Sequence, residues 1–285
     1  MSKIKISNET IGIISVIFAY LCFSLLDTIQ KTLIIYYSVF QILLIKYCFT
    51  VCLSYIESRR KKNYKFYLTK NVKLQILRSF LSILESACFV LAFKYLSLAD
   101  AHSIGGLTPI IVVIFSSVFL KEKITPKIWL VVFIGFVGVI IIMRPGLSIF
   151  DPKSLIPLFA ALFLGLYQVV TRKVSEYDKN ETSLFYTAII GILIMGFVSF
   201  FHWLPINLSS IFLFIGVGIF YSLGLYLQII ALSKARASIV QPFHYTLIFW
   251  AIIFGFIFYK DVPDLLTIIG AVIIASSGIY IYIKN

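Results

Sequence analysis

The chain is 285 residues long, 60% hydrophobic and only 13% charged, whereas a soluble domain carries roughly 25% charged and about 45–50% apolar residues, so a water-soluble globular fold is excluded. Its formal charge of +13 would suit a nucleic-acid binder if the lysines lay on one soluble face. They stand instead between apolar runs, so they report membrane orientation, and no nucleic-acid partner is expected.

In chain order, apolar runs broken by charges, prolines or short polar clusters predict spans at 11–30, 35–56, 74–96, 103–120 and 128–143, then at 155–171, 183–201, 209–232, 239–259 and 265–283. A spanning helix takes about 20 apolar residues, so little is left beyond short loops. The expected fold class is all-α, a polytopic membrane protein of ten transmembrane helices. The first run lacks a small-residue cleavage site and continues into Asp27, Gln30 and Lys31, so it reads as a retained helix. Within it Tyr20, Ser24, Asp27 and Lys31 recur at four, three and four residues, on one helical face that would look into a polar cavity. For Lys31 a solvated pair with Asp27 near the outer interface is the competing reading.

The second and third spans carry Lys46 and Glu85, eight residues beyond Ser38 and seven beyond Arg78, which at about 1.5 Å per residue places both near mid-membrane. An ionisable side chain at that depth is costly unless paired or wetted, and is a functional candidate. Glu85 would take a cationic group or a coupling proton and Lys46 a substrate carboxylate; a permanent ion pair fixing the helices is the alternative. Ser82 and Ser86 extend the polar surface around Glu85, or serve as small packing residues.

In the fourth span His102, Gly105-Gly106 and Pro109 mark either a bend or a closely packed helix start. Gln168 in the sixth is a candidate contact or one interhelical hydrogen bond. The eighth span sets Tyr221, Gly224 and Gln228 on one face, an aromatic wall suited to planar or cationic solutes. The ninth opens with Gln241, Pro242, His244 and Tyr245. Its proline leaves backbone carbonyls free near a cavity or hinge, and His244 is a proton shuttle or a satisfied polar residue. Cys22, Cys48, Cys52 and Cys88 sit in apolar segments without CxxC pairing and read as reduced packing residues; no metal or cofactor is expected.

With the N-terminus inside, nineteen of the 25 lysines and arginines fall in inner loops, among them the eight from Arg59 to Arg78, five fall outside, and Lys46 belongs to a span. Lysine and arginine enrichment marks the cytoplasmic side, so both termini are expected there. The run Arg59, Arg60, Lys61, Lys62 is an orientation signal and a lipid-headgroup contact. Ala99-Asp100-Ala101, a span and Lys121-Glu122 are echoed by Ala235-Arg236-Ala237, a span and Lys260-Asp261. The halves 1–147 and 148–285 thus look like repeats, and five spans each force the second to insert upside down, the arrangement common in secondary transporters.

These residues resemble the EamA family of the drug/metabolite transporter superfamily over nearly the whole chain. The resemblance is carried by Leu26-Asp27 with Lys31, by Ala92 to Ala101, and by Gly135-Phe136-Val137-Gly138 leading to Arg144-Pro145-Gly146. In the second half it is carried by Pro242-Phe243-His244-Tyr245, Asp261-Val262-Pro263-Asp264 and Gly270-Ala271. Relatives usually have arginine where this chain has Lys46; Glu122 and the shorter Asp261 stand at the family glutamates closing the fourth and ninth spans. The resemblance implies two EamA repeats and a transporter, in a family whose members move amino acids, amines, nucleotide-like metabolites such as S-adenosylmethionine, vitamins and carboxylates.

The expected function is therefore a secondary transporter of a small organic metabolite, working by alternating access in the bacterial inner membrane, with the bilayer and a coupling proton or counter-substrate as further partners. The substrate site is expected to draw on Tyr20, Asp27, Lys46, Glu85, Gln168, Tyr221, Gln228, Gln241, His244 and Tyr245. No GxxxxGK[ST] loop supports ATP-driven pumping, and no HExxH or GxSxG supports an intramembrane enzyme. A membrane scaffold or receptor is the other rival, and it would tolerate apolar replacement of the mid-span charges.

Overall fold

A computed structural model describes residues 7–96, 98–143 and 152–260, with 265, 266, 268–270, 272, 273 and 276 of the last segment. Helix α1 (Asn8–Leu33) starts where the Ser7 side chain accepts from the Thr10 amide at 3.1 Å. Helix α2 (Val39–Arg60) is capped in the same way by Ser38, and α3 (Val72–Phe93) by Asn71. Each cap satisfies one of the otherwise orphan amides of a first turn.

The α1 to α2 turn falls inside an uninterrupted apolar stretch from Leu33 to Tyr37. Hydropathy has nothing to break on there, so the second span, expected from 35, starts at 39 because Ser38 supplies the cap.

The fourth span is two helices, α4 (Leu98–Gly105) and α5 (Thr108–Phe119), separated at Gly106 and Leu107. The Gly105-Gly106 and Pro109 signal therefore marks a break, and the helical segment begins five residues earlier than expected. Helices α6 (Pro126–Met143), α7 (Leu155–Val174), α8 (Asn180–Phe200) and α9 (Leu208–Lys234) follow. The ninth span is also discontinuous: α10 (Ala237–Val240), a 3-10 turn over Gln241–Tyr245 that holds Pro242, and α11 (Thr246–Tyr259). Most of the expected tenth span lies outside the described residues.

Seven segments are long and apolar enough to cross a membrane, with α5 and α6 as shorter apolar helices. Large apolar side chains such as Phe197, Phe200, Leu208 and Phe212 point outward, each more than 70% exposed. A surface of this kind fits lipid and not water. Cys48 and Cys52 belong to that outer surface and Cys22 and Cys88 are half-buried, all four free; the reduced state matches expectation, but Cys48 and Cys52 do not pack into the interior.

The packing pattern carries the repeat. Advancing five spans takes α1 to α7, α2 to α8, α3 to α9 and α4/α5 to α10/α11. Under that shift the contact of α1 with α9 becomes that of α7 with α3, α5 with α7 becomes α11 with α1, and α2 with α8 maps onto itself. All of these are main contacts of the bundle. Each half thus buries its helices chiefly against the other half, and both broken helices, α4/α5 and α10/α11, reach the centre.

Candidate substrate-binding cavity

Between the two broken helices lies a cavity lined from α1 by Tyr20, Phe23, Leu26, Asp27 and Gln30, from α2 by Lys46, and from α3 by Ser82, Glu85, Ser86 and Phe89. His102 of α4, Leu164 and Tyr167 of α7, Tyr221, Leu225 and Gln228 of α9, and His244 with Leu247 complete the wall. Seven of the ten expected site residues meet here: Tyr20, Asp27, Lys46, Glu85, Tyr221, Gln228 and His244. The volume is about 50 Å³; a water needs at least about 10–15 Å³ on the same measure, so this conformation admits a few waters.

Lys46 is 1% exposed, and its ammonium stands 4.0 Å from the centre of the Tyr221 ring and 5.4 Å from that of Tyr47. Glu85 and Asp27 act on it electrostatically, yet among the described residues neither forms a direct salt bridge with it. The Glu85 carboxylate instead accepts from Ser86 Oγ at 3.1 Å. Ser82 Oγ approaches the Tyr221 hydroxyl at 3.5 Å, and Tyr47 meets the Tyr221 ring edge-on. The result is a cation over an aromatic face with a carboxylate nearby, an arrangement that also suits a solute ammonium.

Asp27 reaches across to α4, where its Oδ2 lies 3.0 Å from His102 Nε2, at ion-pair distance though without hydrogen-bond alignment. His102 packs between the rings of Phe89 and Phe93. Lys31 lies over the Tyr259 ring at 5.2 Å and does not line the cavity. Tyr20 hydrogen-bonds His244 Nδ1 at 3.1 Å, with the two rings edge to face.

Three expected residues lie elsewhere. Gln168 and Gln241 bond each other at 2.7 Å in the dry interior between α7 and the ninth-span turn. Tyr245 donates to the Val132 carbonyl at 3.1 Å, and its ring covers Gly135, where a Cβ would fall 2.2 Å from it. Tyr245 is thus an anchor of α6.

Four wall residues fall outside the expected set: Gln30, Phe89, His102 and Tyr167. Gln30 has the strongest signal in retrospect, one turn beyond Asp27 and three residues along the same polar face.

Arg78 corrects the loop count. It lies in the second turn of α3 and is fully buried. It donates to the Ser183 carbonyl and close to Thr187 Oγ1, to Gln75 Oε1 at 3.2 Å and to the Tyr167 hydroxyl at 3.3 Å. A basic neighbourhood hid it among loop cations, whereas the Asn71 cap puts it well inside the helix.

At the same end, Glu181 accepts from Lys61 and Asn63, and Asp178 from Gln75. Glu122, after α5, accepts from the Ala237 and Ser238 amides and the Ser238 hydroxyl, holding the first turn of the other repeat's broken helix.

A family model described as the EamA-like transporter family matches residues 10–144 and again 154–283. The chain belongs to the EamA-like transporter family. This EamA-like chain is 26% identical over 208 residues to an S-adenosylmethionine uptake transporter of Rickettsia bellii, covering 73% of this chain and 72% of the relative. It is 26% identical over 207 residues to a pseudopaline exporter of Pseudomonas aeruginosa, covering 72% and 73%. A solved crystal structure superimposes with a TM-score of 0.78 at 13% identity over 95% of this chain and 94% of that one, a likeness of fold. Family and fold agree on a helical membrane protein of the transporter class.

Proposed function

We propose that this protein is a secondary transporter that carries a small metabolite bearing an amine, or both charge signs, across a bacterial inner membrane with both termini cytoplasmic. Repeats 1–147 and 148–285 would rock about the cavity that holds Lys46, Glu85 and Asp27, exposing it alternately to each side. The observation that carries this reading is the meeting of two discontinuous helices at one buried cavity with ionisable walls. Such breaks are tolerated at membrane depth only where backbone is buried in protein or lines a wet space.

At about 50 Å³ the cavity must widen to admit a metabolite, which supports a closed intermediate of a moving carrier. Relatives of similar identity are named for uptake and for export, so likeness supports the solute class and leaves direction to experiment.

The test is uptake and counterflow in proteoliposomes, with S-adenosylmethionine, amino acids and polyamines as solutes. Saturable flux in the wild type, lost in Glu85→Gln and in Lys46→Met, is expected. Flux unchanged in both variants would remove the cavity from the transport path.

A further inference from the structure

Two pairs of side chains occupy equivalent places in the two repeats. His102 is the fifth residue of the fourth-span helix, which starts at Leu98, and Gln241 is the fifth from Ala237, where the ninth begins. Asp27 lies six residues before the end of α1 at Leu33, and Gln168 six before the end of α7 at Val174. The Asp27/His102 contact at 3.0 Å is therefore the counterpart of the Gln168/Gln241 bond at 2.7 Å. One repeat holds a titratable pair that opens on the cavity, and the other holds a neutral pair sealed in the core.

The charge of the wall gives the pair a role. Among the described lining residues two carboxylates, Asp27 and Glu85, face one ammonium, Lys46. The titratable groups facing the pair are Lys46 from α2, Glu85 from α3, Tyr167 from α7, Tyr221 from α9 and His244 from the ninth-span turn. A charge on His244 and one on His102 oppose each other, so the two imidazoles accommodate a single added proton.

An uncompensated charge in a low-dielectric cavity is costly, and one positive charge balances this wall. A proton on the Asp27/His102 pair supplies it, and so does a solute carrying one net positive charge. Both together would leave the wall in excess of positive charge.

We infer that Asp27 and His102 form a proton-binding site, and that the cavity exchanges one proton for one solute of net charge plus one. The exchange rests on the transporter reading above, whereas the proton site does not.

The experiment uses the full chain in voltage-clamped proteoliposomes that enclose a pH dye. The probes are S-adenosylmethionine, with one net positive charge near neutral pH, and S-adenosylhomocysteine, with none. Entry of S-adenosylmethionine is expected to drive out about one proton each and to weaken about tenfold per pH unit under acid conditions, as single-proton competition requires. The Asp27→Gln/His102→Gln double variant installs the neutral pair that the other repeat already accommodates. It is expected to exchange labelled for unlabelled S-adenosylmethionine with no pH change.

A solute-free readout is 15N-histidine NMR in nanodiscs, with the His102 signal assigned by its loss in His102→Gln. Its ring is expected to take up a proton within about pH 5–8, and a ring in one form throughout overturns the site whether or not any solute moves. Proton release undiminished in the double variant overturns it too. Titration of His102 without any S-adenosylmethionine flux overturns the exchange and its solute class, and confines the inference to the proton site.

Discussion

Lys46 and Glu85 were legible as mid-span charges, and both reach the cavity, but their relation is indirect: the ammonium rests on Tyr221 and the carboxylate on Ser86. Removing one charge leaves the other less compensated in a poorly solvated place, so Lys46→Met alone should destabilise. Lys46→Met/Glu85→Gln should recover most of that loss while transport stays absent. A double-mutant cycle on detergent unfolding is expected to give about 1–3 kcal/mol of interaction; a value near zero would mean that the two charges are wetted independently.

Arg78 presents the opposite case, a charge whose partners are neutral acceptors on α3, α7 and α8. Arg78→Met strands those acceptors at about 1–3 kcal/mol for each one left buried and unsatisfied. Arg78→Lys should fare little better, because a lysine has no planar fork to divide among them. Thermal unfolding of both variants, well below wild type, is the expected result.

At the scale of elements, two glycines let helices approach α2 closely. A Cβ at Gly191 of α8 would fall 2.4 Å from the Tyr47 ring, and one at Gly218 of α9 would fall 2.2 Å from Phe49, whereas at Gly196 the nearest atom is 3.8 Å away. An added methyl gains about 1 kcal/mol of helix propensity over glycine but costs about 1–3 kcal/mol where it overpacks a rigid neighbour. Gly191→Ala and Gly218→Ala should therefore lower the unfolding temperature, and Gly196→Ala should raise it.

Hydropathy located the spans because lipid demands long apolar segments. It could not see the breaks as such, since Gly106 and Pro242 interrupt backbone geometry and leave apolarity intact. Nor could spacing tell Tyr245 from His244: they are neighbours in one 3-10 turn, and tertiary packing alone sends one to Val132 and the other to the cavity.

For the whole molecule, composition and lysine placement were enough to read a polytopic membrane protein, and the echo around Ala99 and Ala235 was enough to suspect the repeat. The proposed orientation has a direct check in the loops. Lys65, between α2 and α3, and Trp203, between α8 and α9, are exposed at the ends of their segments. In a cysteine-free background, Lys65→Cys should react with an impermeant maleimide only after the membrane is opened, and Trp203→Cys in intact cells. The reverse pattern would invert the molecule.

The exchange of partners between repeats bears on how the chain is made. α1 ends at Leu33 and packs along α9, which begins only at Leu208, 175 residues later. At synthesis rates of about 5–20 residues per second the ribosome needs about 10–35 s to cover that distance. Throughout that interval Asp27 and Lys46 have left the translocon without the walls that later enclose them, and Glu122 has no α10 amide to hold. The first repeat is thus a long-lived nascent intermediate with polar faces turned toward lipid, and quality control in the membrane acts on this protein before its last helices exist.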